Sequence, residues 1–316
     1  MNICPRQRPH DARERGAAFA IAVAAAVAVT AAWMLTACST AAPGGSASPK
    51  PYTDGAPGAT GTGRVSMPPQ GNLAWLLTRS ALTQLLADPA VRAELQGSQV
   101  YEILQPGQQP LAGSTAKLVV TFASATALEE AVRGGQLPDG TYGVLYDPEA
   151  WAFTPVTEQL DPVQAASRAA AVAHAHGLRL IVAPALNLTT VLRPGSTEPR
   201  WRQFLDLNLV GRLARVADAV ELQAQSLERD PVTYAAFVRA AAAQASAANP
   251  GISVLAGLST NPPGAPVDSE HLTAAIQATR SLVVGYWLNI PGQGARCPTC
   301  NAPRPDIAIQ TLQALR

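Results

Sequence analysis

Tyr142-Gly143-Val144-Leu145-Tyr146-Asp147 and Leu178-Arg179-Leu180-Ile181-Val182-Ala183-Pro184 bracket an Ala-rich run from Pro162 to His176. Both apolar runs have the length of buried strands, and the stretch between them reads as a helix with marked ends. Asp161 stands where an N-cap accepts backbone N–H groups, and Pro162 occupies the first helical position. Gln164 falls where a capping box wants it, and Gly177 is the C-terminal stop. Strand, crossover helix and strand make one βαβ unit, and so a pair of parallel neighbours.

The same alternation extends in both directions. Apolar runs fall at 73–78, 99–104, 117–122, 142–147, 178–184, 219–225, 252–259 and 282–290. Asp230-Pro231 opens a second helix that Asn249-Pro250-Gly251 breaks, and Asp268 caps a third. Eight strands in about 245 residues match an α/β fold of the (β/α)8, TIM-like barrel type over residues 71–316. Irregularity is expected at strands one to three. Residues 105–116 are rich in Gln, Pro and Gly with no helical pattern, and 73–78 also reads as the start of a helix. An open doubly wound sheet is the alternative.

Strand periodicity nominates site residues. In 219–225, Glu221, Gln223 and Gln225 alternate with Val220, Leu222 and Ala224, so the polar set shares one face. Beneath helices that face would be costly; at a barrel mouth it suits a polar ligand. Trp287 and Asn289 share a face near the end of the last strand. The densest cluster is Tyr146-Asp147-Pro148-Glu149-Ala150-Trp151, where an apolar strand ends in carboxylates two residues apart, followed by Trp151 and Phe153. Strand ends of a parallel barrel form the face that carries active sites. Paired acids raise one pKa and place a proton donor beside an anion, while the aromatics can stack on a sugar ring. A strand-end turn built on Asp147 before Pro148 is the plain reading of the same residues.

Asp147-x-Glu149 at the end of strand four, with Trp287 late in strand eight, resembles the chitinase-type glycoside hydrolases. The resemblance implies that Glu149 protonates the glycosidic oxygen and Asp147 orients the N-acetyl group that acts as nucleophile. Trp287 would floor the sugar subsite, with Tyr146, Trp151, Gln223, Gln225 and Asn289 as further ligand contacts. The chain departs from that family at Leu145, where the longer motif has an acid, at Pro148, and in lacking the strand-six tyrosine motif. A second assignment pairs Glu149 with Glu221 as acid and nucleophile or base. A barrel without turnover that keeps its sugar groove is the non-enzymatic alternative. A transporter solute receptor predicts two hinged lobes, a division the sequence does not show.

Leu35-Thr36-Ala37-Cys38 resembles a bacterial lipobox, which implies cleavage before Cys38 and lipidation of that cysteine. Arg6, Arg8, Arg13 and Arg15 form a basic n-region, and 17–34 is an uncharged h-region. Residues 1–37 are thus expected as signal peptide; an uncleaved membrane anchor is the alternative, disfavoured because the run is largely Ala and a small-residue site follows it. Residues 38–70 form a Pro/Gly/Ser-rich linker, expected to be disordered because it lacks large apolar residues. Stable anchoring needs more than one acyl chain, which the diacylglyceryl and palmitate-type modification implied by the lipobox resemblance would supply. The expected address is the extracytoplasmic face of the cell membrane, and the expected ligands are envelope or extracellular glycans.

Charge and cysteine content fit this setting. Residues 1–37 contain four arginines and two acids, so their removal moves the formal charge from +1 to −1. No basic stripe is left for nucleic acid. Cys297-Pro298-Thr299-Cys300 reads as a structural disulfide outside the cytosol, since zinc would need further ligands; a thiol-exchange pair is the alternative. No cofactor is expected, because no Gly-rich phosphate loop or nucleophile elbow follows a strand. No metal is expected either: His174 and His176 are spaced by two in one helix, which points them apart. His271 reads as a surface residue, Asn187 as a loop residue after strand five, and the protein as a monomer.

Overall fold

A computed structural model describes residues 73–316; the expected signal peptide, Cys38 and the linker lie outside the described residues. The apolar runs form β1 (Ala74–Thr78), β2 (Gln99–Leu104), β3 (Lys117–Phe122), β4 (Thr141–Tyr146), β5 (Arg179–Val182), β6 (Ala219–Leu222), β7 (Ser253–Ser259) and β8 (Gly285–Asn289). They pair in chain order, all parallel, and β8 returns to β1 through Ala74↔Gly285 and Leu76↔Trp287. That closure excludes the open sheet. It depends on Gly285, where a Cβ would sit 2.1 Å from the Ala74 carbonyl oxygen.

Alternation sorts side chains into two cores. Leu76, Ile103, Val119, Leu145, Ile181, Leu255 and Trp287 fill the barrel interior. Trp75, Leu104, Val120, Tyr146, Val182, Leu222 and Tyr286 face outward against the helices. Small helix residues such as Ala166, Ala169, Ala173, Ala241 and Ala245 are fully covered, which lets the helices lie close on the sheet.

Helix ends follow the sequence signals. The Asp161 carboxylate accepts the Gln164 N–H at 3.0 Å, starting the helix Pro162–Ala175. At its far end Gly177 has φ 71°, Leu178 N–H bonds Ala173 O at 2.9 Å and Gly177 N–H bonds His174 O at 3.1 Å. This is the Schellman pattern, which needs a left-handed residue where glycine stands. Asp230 caps Pro231–Ala248 and Asp268 caps Ser269–Thr279. His174 bonds Asp218, and His176 bonds its own helix at Val172 O.

The irregularity lies where the composition places it. β2 and β3 are joined by residues 105–116 without a helix, and the register shifts between Leu118 and Val119. The buried carboxyl of Glu102 holds this connection by accepting the Leu111 N–H at 2.8 Å. Residues 73–78 are strand and not helix, apart from Leu73. The sixth run is shorter than its sequence pattern: β6 stops at Leu222, where Ala224 N–H turns back to Leu222 O at 2.7 Å and a 3-10 turn Gln225–Leu227 follows. Among the described residues, no helix is long and apolar enough to cross a membrane.

Candidate functional site

The strands' C-terminal ends surround a cavity of about 500 Å³. Asp147, Glu149, Trp151, Gln223, Gln225, Trp287 and Asn289 all line it. β4 ends at Tyr146, so Asp147 inherits the inward parity of Leu145, and Pro148 turns the chain until Glu149 reaches the same space. Asp147 is 5% exposed and accepts Gln223 Nε2 at 2.5 Å; that amide also donates to Ala183 O at 2.8 Å. Gln223 thereby ties the end of β6 to β4 and β5.

Glu149 is half-buried, and its Oε2 accepts Asn187 Nδ2 at 3.1 Å. The Asn187 carbonyl oxygen accepts the Ala150 N–H at 2.9 Å, so one amide fixes both the acid and its backbone. The loop beyond is pinned by Thr154. Its hydroxyl donates to Ala123 O at 2.8 Å and accepts from Trp151 Nε1 at 2.9 Å and Glu149 N–H at 3.2 Å. That uses the donor and both lone pairs of one hydroxyl. Trp151 meets Phe153 edge-on with centroids 5.0 Å apart.

Burial governs the electrostatics. It raises Asp147 well above the ordinary carboxylate range, and the neighbouring Glu149 adds to this against the Arg296 charge and the Gln223 bond. Burial also raises Glu149, opposed by the Asn187 bond and Arg296. Glu221 is fully enclosed; burial, then Asp147, then Glu149 push it well up. Neither of its oxygens has a partner among the described residues. Gly257 opposite leaves it room, since a Cβ there would lie 2.6 Å from Glu221 Oε1 and 2.5 Å from Gln225 Nε2.

Two sequence expectations need correction. Tyr146 is no ligand contact: its even parity turns it outward, where it is fully buried and its hydroxyl donates to Glu158 Oε2 at 3.1 Å. Glu221 does point inward, yet it lies beneath the floor and is not on the cavity wall. Residues that sequence reasoning did not nominate complete the site: Asn187, Thr154, Thr121, Arg79 and Arg296. Cys297 and Cys300 form a disulfide in the loop after β8, with Cα atoms 5.3 Å apart. Among the described residues no group of His, Cys, Asp and Glu has the arrangement to hold a metal ion.

No protein-family model matches the chain, nor does any curated protein sequence. Among solved structures it is similar to a chitinase from Chromobacterium violaceum, with 13% identity, 77% of this chain and 100% of that one covered, and a TM-score of 0.43. A sugar phosphate isomerase/epimerase from Parabacteroides distasonis gives 11% identity, 78% and 96% coverage and 0.44. A triosephosphate isomerase from Bartonella henselae gives 13%, 69% and 92%, and 0.37.

Proposed function

We propose that this is an exported, lipid-anchored barrel that hydrolyses envelope or extracellular glycans, with Glu149 as the proton donor. The observation that carries the reading is the convergence of Asp147 and Glu149 in one cavity lined by Trp151 and Trp287, with burial raising both acids. A carboxyl whose pKa is raised above the ordinary range suits the general acid that a leaving glycosidic oxygen requires. Asn187 donates to Oε2, which leaves Oε1 as the oxygen to carry the proton that the reaction uses. In the substrate-assisted route, the sugar's N-acetyl oxygen attacks the anomeric carbon while Asp147 holds the amide. Glu149 gives its proton to the departing oxygen and regains one from the water that opens the cyclic intermediate. Asp147 is preferred to Glu221 as partner because only Asp147 stands on the cavity wall.

A second reading, a glycan-binding lipoprotein without turnover, is favoured by Leu145. It packs in the apolar barrel interior, so Asp147 has no carboxyl behind it on β4. Aryl β-N-acetylglucosaminides assayed with the full-length protein separate the two. Release of the aryl group by the wild type, lost in Glu149→Gln, supports the hydrolase. Chito-oligosaccharide binding by both proteins with no release supports the binding reading, and neither binding nor release overturns both. Anchoring is tested by Cys38→Ser, which should move the protein from the membrane fraction to the soluble one.

A further inference from the structure

The loop after β8 is tied together at its base and at its tip. Its stems touch at Gly292, where a Cβ would meet the Pro303 ring at 2.6 Å. Asn261 Nδ2 clamps both stems, donating to Pro291 O at 2.9 Å and Ala302 O at 3.0 Å. Further out, Gln293 N–H bonds Asn301 O at 3.2 Å, and Gly294 and Cys297 exchange backbone bonds at 3.2 and 3.0 Å. The Cys297–Cys300 disulfide closes the tip. In that tight turn stands Arg296, its guanidinium carbon 5.8 Å from the Trp151 ring centre and 6.0 Å from that of Phe153. It lines the same cavity as Asp147 and Glu149.

Arg79, the residue that follows β1, also lines the cavity and is half-buried there. Among the described residues neither guanidinium makes an ion pair or a side-chain hydrogen bond; Arg79 is half-buried and Arg296 exposed. Each offers five N–H donors in a fork that fits a carboxylate or phosphate. Two further groups on the cavity wall lack partners despite burial: Thr121 Oγ1, in a residue 2% exposed, and Trp287 Nε1, in a residue 7% exposed. An indole N–H only donates, so it calls for a ligand oxygen. Burial raises Asp147 well above the ordinary carboxylate range, which weakens its negative charge beside the two guanidiniums.

We propose that the cavity selects a sugar bearing a negatively charged group, with that group between Arg79 and Arg296 and the hydroxyls against Asp147, Thr121 and Trp287. This rests on the glycan reading and narrows it to acidic glycans. The anion can be a carboxylate or a phosphate ester, since both match the fork.

Calorimetric titration of the full-length protein with methyl β-glucoside, methyl β-glucuronide and glucose 6-phosphate tests it. At low salt, at least one anionic sugar should bind tenfold or more tightly than the neutral glucoside, and the preference should shrink at 0.3 M salt. The tighter of the two identifies carboxylate or phosphate. Arg79→Gln and Arg296→Gln should each weaken the anionic sugar at least tenfold more than the neutral one. Dithiothreitol, by opening the Cys297–Cys300 loop, should weaken it in the same sense. Equal binding of all three sugars, or anionic binding indifferent to both substitutions, overturns the inference. If aryl N-acetylglucosaminides are still cleaved then, the hydrolase reading survives alone. If the anionic preference holds without any cleavage, the hydrolase reading fails alone.

Discussion

The two ends of this barrel use similar polar residues in opposite ways. At the N-terminal end of the strands, Asp218 accepts Leu180 N–H, Arg179 Nη1 and His174 Nε2, each at 2.8 Å. Burial pushes Asp218 up, but those bonds outweigh it and hold the carboxyl below its ordinary value. Lys117 lies 4.7 Å from the Tyr142 ring centre and 5.6 Å from that of Tyr101, and only about 50 Å³ of cavity is left. At the C-terminal end the cavity is about 500 Å³, its acids are raised, and Glu221, Thr121 and Trp287 keep unpartnered polar atoms. Polar groups that find partners stabilise a fold; groups held without them await something from outside. The contrast sets a satisfied polar cluster below and an open cavity with unpartnered polar atoms above.

The largest expected effect breaks that contrast at the top. Glu149→Gln keeps the shape and the Asn187 bond but removes the proton. Glycoside turnover should fall about 10²- to 10⁴-fold, the usual contribution of a general acid. The melting temperature should stay unchanged or rise, because a buried ionisable group is gone. A fall in melting temperature with intact turnover would reverse the assignment.

At the bottom the sign reverses. Asp218→Ala removes the acceptor shared by Leu180, Arg179 and His174 and should cost about 2–3 kcal/mol in denaturant unfolding. Ligand affinity at the mouth should be untouched. A loss of affinity comparable to the loss of stability would show that the two ends are not separable.

Much of this division was legible in the sequence. The βαβ unit at 142–184, with Asp161-Pro162 and Gly177 at its helix ends, reads directly because caps and breakers are local signals. Alternation along 219–225 put Glu221 and Gln223 on the inward face, where both lie. The same parity, applied to β4, assigns Tyr146 to the side opposite Asp147; its chemistry as an aromatic beside two acids hid that. Parity gives a face but not a depth, so Glu221 could not be told from a wall residue. Asn187 and Arg296 come from loops after β5 and β8, and no local pattern carries a meeting made by closure of a barrel. Arg296 had one local hint, its place beside the Cys297–Cys300 pair.

Acid and base should stress the two ends in opposite directions. Asp218, lowered in the native state, contributes stability above about pH 4 that is lost as the pH falls through its native pKa. Glu221, raised, favours the native state in acid, and its contribution declines as the pH rises from about 4.3 toward its native pKa. Each such group changes stability by at most about 1.4 kcal/mol per pH unit. Glu221→Gln should therefore lessen the loss of stability as the pH rises above about 4.3 and leave the acid limb, to which Asp218 contributes, in place. An unchanged slope would mean that Glu221 is paired in solution.

The smallest effect sharpens the top of the barrel from within. Asn187 donates to Glu149 and pulls its pKa down against burial. Removing that donor in Asn187→Ala leaves burial less opposed, so Glu149 should hold its proton to higher pH. In the pH profile of kcat/KM, the alkaline limb set by loss of the Glu149 proton should move upward. Maximal turnover should also fall, because the amide that fixes the backbone at Ala150 is gone too. Asn187→Asp separates these roles: it restores an acceptor for Ala150 N–H but sets another carboxyl beside Glu149, in addition to Asp147, which moves the limb further up. If neither substitution moves the limb, Asn187 merely braces the loop, and the charge of Arg296 is left as the main influence drawing Glu149 down.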